Sequence, residues 1–367
     1  MTLNRDLYNY LTEEVIFLGN ENPELLTRLM FSGKEAIFIL RNIINGVDSV
    51  QFLNWSYYEN NKHIRYSSQV VVLIWNNFLK IEADLKNPYM GNIIQWALSS
   101  VKRVGIDTKD PLPPDVVELL LKNPSLTKLT LYRCDLWTAK ILIESRRFDY
   151  VKMGPFMSGH LNYIYIDVEE LELCEVPLTE ILNSKRIKTN SLIIRGTNVA
   201  FSKILTEINV SSDFEYLKKL ELVVFNWGKC CEPTGFFSFL RILDKKLINL
   251  EFLTVEFEEY RPALVYRNYQ GDINMPPELF KKFVYYMYNL PLYYRKIKVK
   301  VNHYIMAEIS PLPPLEVAEG YYEKIREELP NFKYSCWIEE GRSHCSFNNS
   351  INITKNFEVN TLLHVFG

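Results

Sequence analysis

Side chains able to do chemistry are few in this sequence, and their spacing argues against catalysis. The five histidines (His63, His160, His303, His344, His364) form neither His-x-x-x-His nor His-Glu-x-x-His, the spacings that place two imidazoles on one helix face for zinc. Cys345 beside His344 is the nearest approach to a nucleophile–base pair, but adjacent residues on a strand point to opposite faces. The vicinal pair Cys230-Cys231 reads as structural. The chain has no Gly-x-x-x-x-Gly-Lys-Ser/Thr to cradle a phosphate, no Gly-x-Gly-x-x-Gly and no Gly-x-Ser-x-Gly elbow. The carboxylate pairs Glu169-Glu170, Glu258-Glu259 and Glu339-Glu340 fall at expected strand ends or turns and read as solvated charge. No catalytic residue, metal site or cofactor is expected, and the chain is not expected to be an enzyme.

What remains is recognition chemistry. The chain carries 23 Tyr and 21 Phe, and Tyr, Trp and Arg are the types that anchor protein interfaces. Tyr132, Arg133, Trp227, Tyr260, Arg261, Tyr266 and Arg267 are the candidate anchors for a protein target. Lys+Arg 42 against Asp+Glu 44 leaves a formal charge of −2, too balanced to draw the chain to nucleic acid or to a membrane surface. Residues 295–300 alternate basic and apolar types, which puts Lys296, Lys298 and Lys300 on one strand face and reads as an edge strand guarded by lysines.

These residues need elements to hold them, and residues 126–136 show which. Leu126, Leu129, Leu131, Cys134 and Leu136 spell L-x-x-L-x-L-x-x-C-x-L, the strand-and-turn half of a leucine-rich repeat. Leu129 and Leu131 lie two apart on a short strand and point inward; Cys134 is small enough to pack under the turn. The same offsets recur from residues 168 and 217 in full, and from 101, 148, 189 and 250 in part. The 148 member is Phe148, Val151, Met153 and Phe156. Helical stretches separate the strands, as at 116–121, opened by Pro113-Pro114-Asp115, and at 137–145, 178–182, 201–208, 236–243 and 277–288. Alternate strand residues should face solvent: Lys128, Thr130 and Tyr132; Glu170, Glu172 and Cys174; Lys219, Glu221 and Val223; Phe252, Thr254 and Glu256.

With 367 residues, most of the chain fits one such array. No window approaches 18 uninterrupted apolar residues, so no membrane-spanning helix is expected. The opening residues have no basic stretch followed by an apolar one, so no secretory signal is expected. The six cysteines form no Cys-x-x-Cys and are expected to be free thiols in a reducing compartment, cytoplasmic with the nucleus possible.

Residues 46–100 read as one or two irregular first repeats, with Val47, Val50, Phe52 and Trp55 at repeat offsets, a strand at 70–75, a loop or hairpin at 57–66 and a helix at 90–98. Residues 256–276 form the longest interruption and read as a functional loop. After the stiff joint Pro311-Leu312-Pro313-Pro314, a helix at 315–329 and strands at 332–338, 344–347 and 357–366, with turns at Gly341 and at Asn348-Asn349, read as a C-terminal cap.

The N-terminus differs. Leu11-Thr12-Glu13-Glu14-Val15-Ile16 is followed by Pro23, Leu25-Leu26, Leu29, Ser32, Lys34, Phe38 and Leu40, which resembles a degenerate F-box. Thr12 stands where that family has proline. An F-box followed by irregular leucine-rich repeats is similar to the divergent nematode-type F-box proteins with an F-box-associated domain. The expected fold is therefore α/β: an F-box-like helical unit at 1–45, an irregular leucine-rich-repeat solenoid at 46–310 and a cap at 311–367. The resemblance implies a substrate-recognition subunit of a Skp–cullin–F-box ubiquitin ligase. Leu11, Val15, Ile16, Leu26, Leu29 and Phe38 would meet the Skp-type adaptor and cullin, and the strand face would hold the target. The alternative is a regulatory scaffold that pairs with a paralogue and engages no ligase.

Overall fold

The computed structural model describes residues 10, 14, 28, 32–54, 57–59, 62–64, 70–75, 80–85, 90–196, 212–225, 233–265, 298–310, 319, 322–323, 325–327, 329–339, 342–354 and 357–366. It is α/β, with mostly parallel strands. The chain divides into two compact units, residues 1–173 with 186–189, and residues 174–185 with 190–367. The division falls inside the stretch expected as one solenoid.

Unit 1 opens its described part with helix α1 (Lys34–Asn45), whose Ala36, Leu40 and Ile44 recur at helical spacing and are fully buried. Strand β1 (Ser49–Asn54) follows, then the small antiparallel hairpin β2 (Tyr57–Glu59) and β3 (Lys62–Ile64). Next come β4 (Val70–Trp75), β5 (Lys80–Asp84), α2 (Gly91–Ser100), β6 (Arg103–Asp107), α3 (Pro114–Lys122), β7 (Lys128–Arg133), α4 (Leu136–Ser145), β8 (Phe148–Met153), a 3-10 turn (Pro155–His160) and β9 (Ile166–Cys174). The sheet order is β9-β8-β7-β6-β1-β4-β5. From β9 to β1 every pairing is parallel; β4 and β5 are antiparallel additions.

Each parallel strand lies beside the next in sequence, so inward side chains form rows across strands. Val104, Leu129, Val151 and Leu171 make one row; Ile106, Leu131, Met153 and Leu173 make the next, and all are buried. The helices are punctuated as their chemistry requires. α3 starts at Pro114, where no N–H is needed, with Asp115 in its first turn. α4 is capped by Asp135, whose carboxylate accepts from the Thr138 N–H at 2.9 Å. Successive turns of chain are also tied laterally. Buried Asn123 donates its Nδ2 to the Val101 carbonyl at 2.8 Å. The Arg146 guanidinium donates to the carbonyls of Asn123 at 2.5 Å, Leu120 at 3.2 Å and Leu121, at the end of α3 where carbonyls run short of helical partners.

Unit 2 contains α5 (Leu178–Asn183), the greater part of β10 (Ile187–Arg195), a 3-10 turn (Ser212–Tyr216), β11 (Lys219–Phe225), α6 (Pro233–Lys246), β12 (Phe252–Val265), β13 (Lys298–Ser310), β14 (Lys333–Glu339), β15 (Arg342–Thr354) and β16 (Phe357–Phe366). Its order is β10-β11-β12-β13-β16-β15-β14. β10 to β13 and β16 run parallel; β15 and β14 are antiparallel. Ile194, Leu222, Val255, Val301 and Val359 form a buried row. A second core gathers Tyr322, Ile325 and Leu329 with Ile305, Cys345, Phe347, Leu363 and Val365.

Several expectations are corrected. Residues 256–265 are not a loop but the second half of β12, held by β13 along its length; a register shift between Arg261 and Leu264 accommodates Pro262, which has no N–H to give the ladder. Asn348-Asn349 is not a turn: β15 runs through it, paired with Thr361 and Leu362 of β16. β13 is not an edge strand but lies between β12 and β16. Phe156, expected inward, is exposed on the 3-10 turn. Val223, expected outward, is buried, and so is Glu172. Cys336 and Cys345 are not free thiols: the β14–β15 register sets them opposite one another and they form a disulfide. Cys134 does pack inward as a free thiol, its pKa pushed up to about 12 by burial and then by Asp135. Residues 201–208 and 277–288 lie outside the described residues.

Two tests follow from the packing. A Cβ at Gly154 would stand 2.8 Å from the Tyr132 carbonyl oxygen and 2.9 Å from its Cα. Neither is a movable side chain, so Gly154→Ala should cost about 1–3 kcal/mol by forcing β7 and the strand end apart, read by chemical denaturation. His303 is buried between Phe257 and Thr361 in the ladder, and burial pushes its imidazole down to about 3. Below its ordinary value of about 6.5 the unfolded chain takes a proton that the native imidazole refuses. Stability is therefore lost as pH falls from about 6.5 towards 3, by up to roughly 1.4 kcal/mol per pH unit. His303→Leu should remove one proton's worth of that slope from a stability–pH curve and leave the curve above pH 7 parallel to the parent.

Candidate functional site

The alternate, outward positions of the parallel strands form the candidate surface. In unit 1 the register puts Lys128 beside Tyr150 and Glu170, and Thr130 beside Lys152 and Glu172. Tyr132 ends its strand half exposed, and the Lys152 ammonium sits over its ring at 5.8 Å. Lys152 Nζ also pairs with Glu172 Oε1 at 2.8 Å, while the Tyr150 hydroxyl donates to Glu172 Oε2 at 2.6 Å. Glu172 is buried because both its oxygens are used: a carboxylate with two donors tolerates the loss of water that a bare one does not. The result is a linked patch, Tyr132–Lys152–Glu172–Tyr150, with two aromatic bodies and charge compensated within.

Arg133, the second expected anchor on this strand, is committed. Its Nε donates to Asp107 Oδ1 at 2.5 Å, and the carboxylate raises the pKa of the guanidinium. It braces β7 to β6 and would have to leave Asp107 to serve a partner.

In unit 2 the outward row Lys219, Phe252 and Lys298 carries Lys298 over the Phe252 ring at 5.4 Å. Further along, Arg195 pairs with Glu221 at 3.4 Å. Glu256 and Asn302 are ladder neighbours, as are Glu258 and Tyr304. Glu256 has its pKa raised by burial and then by Glu258, and Tyr304 is raised by burial and then by the same two carboxylates. Asn360 donates to Asn302 Oδ1 at 3.0 Å and to Glu358 Oε1 at 2.9 Å. At the far edge Trp337 stacks on His344, with ring centroids 5.5 Å apart, and lies 5.4 Å from His364. One imidazole donates to the other across 3.3 Å, and burial, then His344, lowers the pKa of His364.

The expected anchors are thus unevenly placed. Tyr132 and Arg133 stand together on one patch of unit 1. Tyr260 and Arg261 lie on β12, paired in the ladder with Met306 and Ala307. Trp227, Tyr266 and Arg267 lie outside the described residues, as do Leu11, Val15, Ile16, Leu26 and Leu29. Phe38 stands on α1 at 56% exposure, turned away from the buried Ala36–Leu40–Ile44 stripe. Lys152, Tyr150, Trp337, His344 and His364 were missed as surface residues. His344 and His364 meet only through antiparallel register, which no local spacing announces. Cys345 and His344 do face opposite ways: the sulfur of buried Cys345 is bonded to that of Cys336, while the imidazole stacks on Trp337.

Among the described residues no three His, Cys, Asp or Glu side chains cluster closely enough to hold a metal ion, and no helix is long and apolar enough to cross a membrane. No protein-family model matches the chain, and no curated protein sequence is significantly similar to it.

The Glu172 arrangement is testable. Glu172→Gln keeps its shape but removes the charge facing Lys152, and should cost about 1 kcal/mol; a double-mutant cycle with Lys152→Met should return a coupling of roughly 0.5–2 kcal/mol. Additive losses in urea unfolding would mean that the pair contributes nothing.

Proposed function

We propose that this chain is a non-catalytic protein-binding adaptor. In this reading the sequential parallel strands are the core of an irregular leucine-rich-repeat solenoid, whose outward strand positions hold a protein target. The F-box-like helical N-terminal unit docks a Skp-type adaptor and through it a cullin. The chain is then a substrate-recognition subunit of a ubiquitin ligase. The observation that carries the target side is the outward face of β7–β9, where Tyr132 and Tyr150 stand in a patch whose charges are already balanced by Lys152 and Glu172. Rigid aromatic bodies with little desolvation left to supply are what a target-binding centre needs. On the ligase side, Phe38, exposed on a helix whose other face is anchored, is an apolar side chain available for a helix-to-helix contact.

The test is a pull-down of the full chain against the Skp adaptor and cullin, beside a Leu11→Ala/Val15→Ala/Ile16→Ala variant and a Phe38→Ala variant that hold the parent's circular dichroism. Capture by the parent, reduced at least about tenfold in both variants, is the expected result. No capture by the parent removes the ligase and leaves the scaffold that pairs with a paralogue.

A further inference from the structure

β14 is the outermost strand of unit 2, bonded to β15 on one edge and to no strand on the other among the described residues. All seven of its residues are exposed. Ile338 is 64% exposed, Tyr334 48% and Trp337 39%. An edge strand is a template for another strand unless it is blunted by proline, a bulge or central charge. β14 has none of these: its pairing with β15 is unbroken from Lys333 to Glu339, and its only charges are those two terminal residues.

The phase of the ladder fixes which main-chain groups are free to pair. The Cα atoms of Cys336 and Cys345 are 4.1 Å apart, the short spacing of a non-hydrogen-bonded antiparallel pair. The N–H and C=O of Cys336 therefore point away from β15. By the two-residue period of a strand, so do those of Tyr334 and Ile338. Three residues thus present both a donor and an acceptor to the open edge.

We propose that a second copy of this chain docks on this edge, β14 to β14, antiparallel about a two-fold axis through Cys336. The sequence Lys-Tyr-Ser-Cys-Trp-Ile-Glu is complementary to itself in that register. Lys333 falls opposite Glu339 of the other copy, twice by symmetry. Tyr334 falls opposite Ile338, an aromatic on a β-branched residue, again twice. Tyr334, Cys336 and Ile338 become the hydrogen-bonded pairs, so six main-chain bonds form. A slip of two residues sets Lys333 against Trp337 in one direction or Glu339 against Ser335 in the other, and shortens the ladder. Charge, side-chain type and ladder phase select the same register.

The test is sedimentation of the full chain by analytical ultracentrifugation from about 1 to 100 μM, in the parent and in variants with the parent's melting curve. The parent should move from 43.3 kDa towards twice that mass as concentration rises, and should run as a monomer on a non-reducing denaturing gel. Lys333→Glu and Glu339→Lys should each weaken the dimer by about tenfold, since each replaces two attractions by two repulsions. The double charge swap should restore the dissociation constant to within about threefold of the parent. Ile338→Lys, which buries a charge in the new seam, should abolish the dimer over this range. A 43.3 kDa particle at every concentration overturns the second copy as occupant. A dimer indifferent to Ile338→Lys, or one whose double swap adds the two losses, overturns the register. A dimer that survives denaturant and dissolves only with a thiol overturns the non-covalent contact.

Discussion

The register between successive parallel strands is the constraint on which everything else here depends. A strand's side chains alternate with a period of two, so a slip of one residue would turn Leu129 and Leu131 to solvent and bring Lys128 and Thr130 into the core. The slip is prevented row by row. Val104, Leu129, Val151 and Leu171 must stay level to bury one another, and Ile106, Leu131, Met153 and Leu173 repeat the requirement one step along. Asn123 and Arg146 add a directional lock that apolar packing lacks, because each bonds to main chain at a fixed height in its neighbour. Once register is set for burial, it is set for the outward face as well. Lys152 meets both Tyr132 and Glu172 only because the inward residues on either side of it are level.

That coupling explains what was legible in the chain. The inward rows are regular in residue type, so the offsets from 101, 126, 148, 168, 217 and 250 found β6, β7, β8, β9, β11 and β12. Helices α3, α4, α5 and α6 were equally plain, because a proline opening and helical stretches of apolar residues are local signals. What failed was non-local. Glu258-Glu259 and Pro262 look like a loop, yet β12 continues through them because β13 supplies a partner at each step and a bulge absorbs the proline. Glu172 looks like surface charge, and is buried because Tyr150 and Lys152 satisfy it from a strand 20 residues away in the reading frame of the chain. The lysines of β13 look like edge protection, but β16 returns past two strands to cover that edge.

The candidate site was half legible for the same reason. Tyr132 and Arg133 announce themselves by type and by position at a strand end. Their condition does not: Tyr132 is roofed by an ammonium and Arg133 is bound to a carboxylate one strand over. Residue type names the chemistry available, while register decides how much of it is already spent. A surface whose cations and carboxylates have found each other discriminates by shape and aromatic contact more than by net charge, which agrees with the near balance of the whole composition.

The threading of β16 has a consequence for how the molecule is made. β13 is bonded on one side to β12 and on the other to β16, and residues 311–356, including two whole strands, are synthesised between them. Through that interval β13 presents a long bare edge flanked by Val299, Val301 and Ile305. The hazard of an edge left open in this way is capture of the wrong strand. β15 is the nearest wrong choice, since it is made first and later flanks β16 on the other side. The Asn-Asn-Ser stretch of β15 offers such an edge little apolar surface, whereas β16 brings Val359 and Leu363 level with Val301 and Ile305. The polar run in β15 that looks like a turn in the sequence is thus the stretch least suited to the place that β16 takes beside β13.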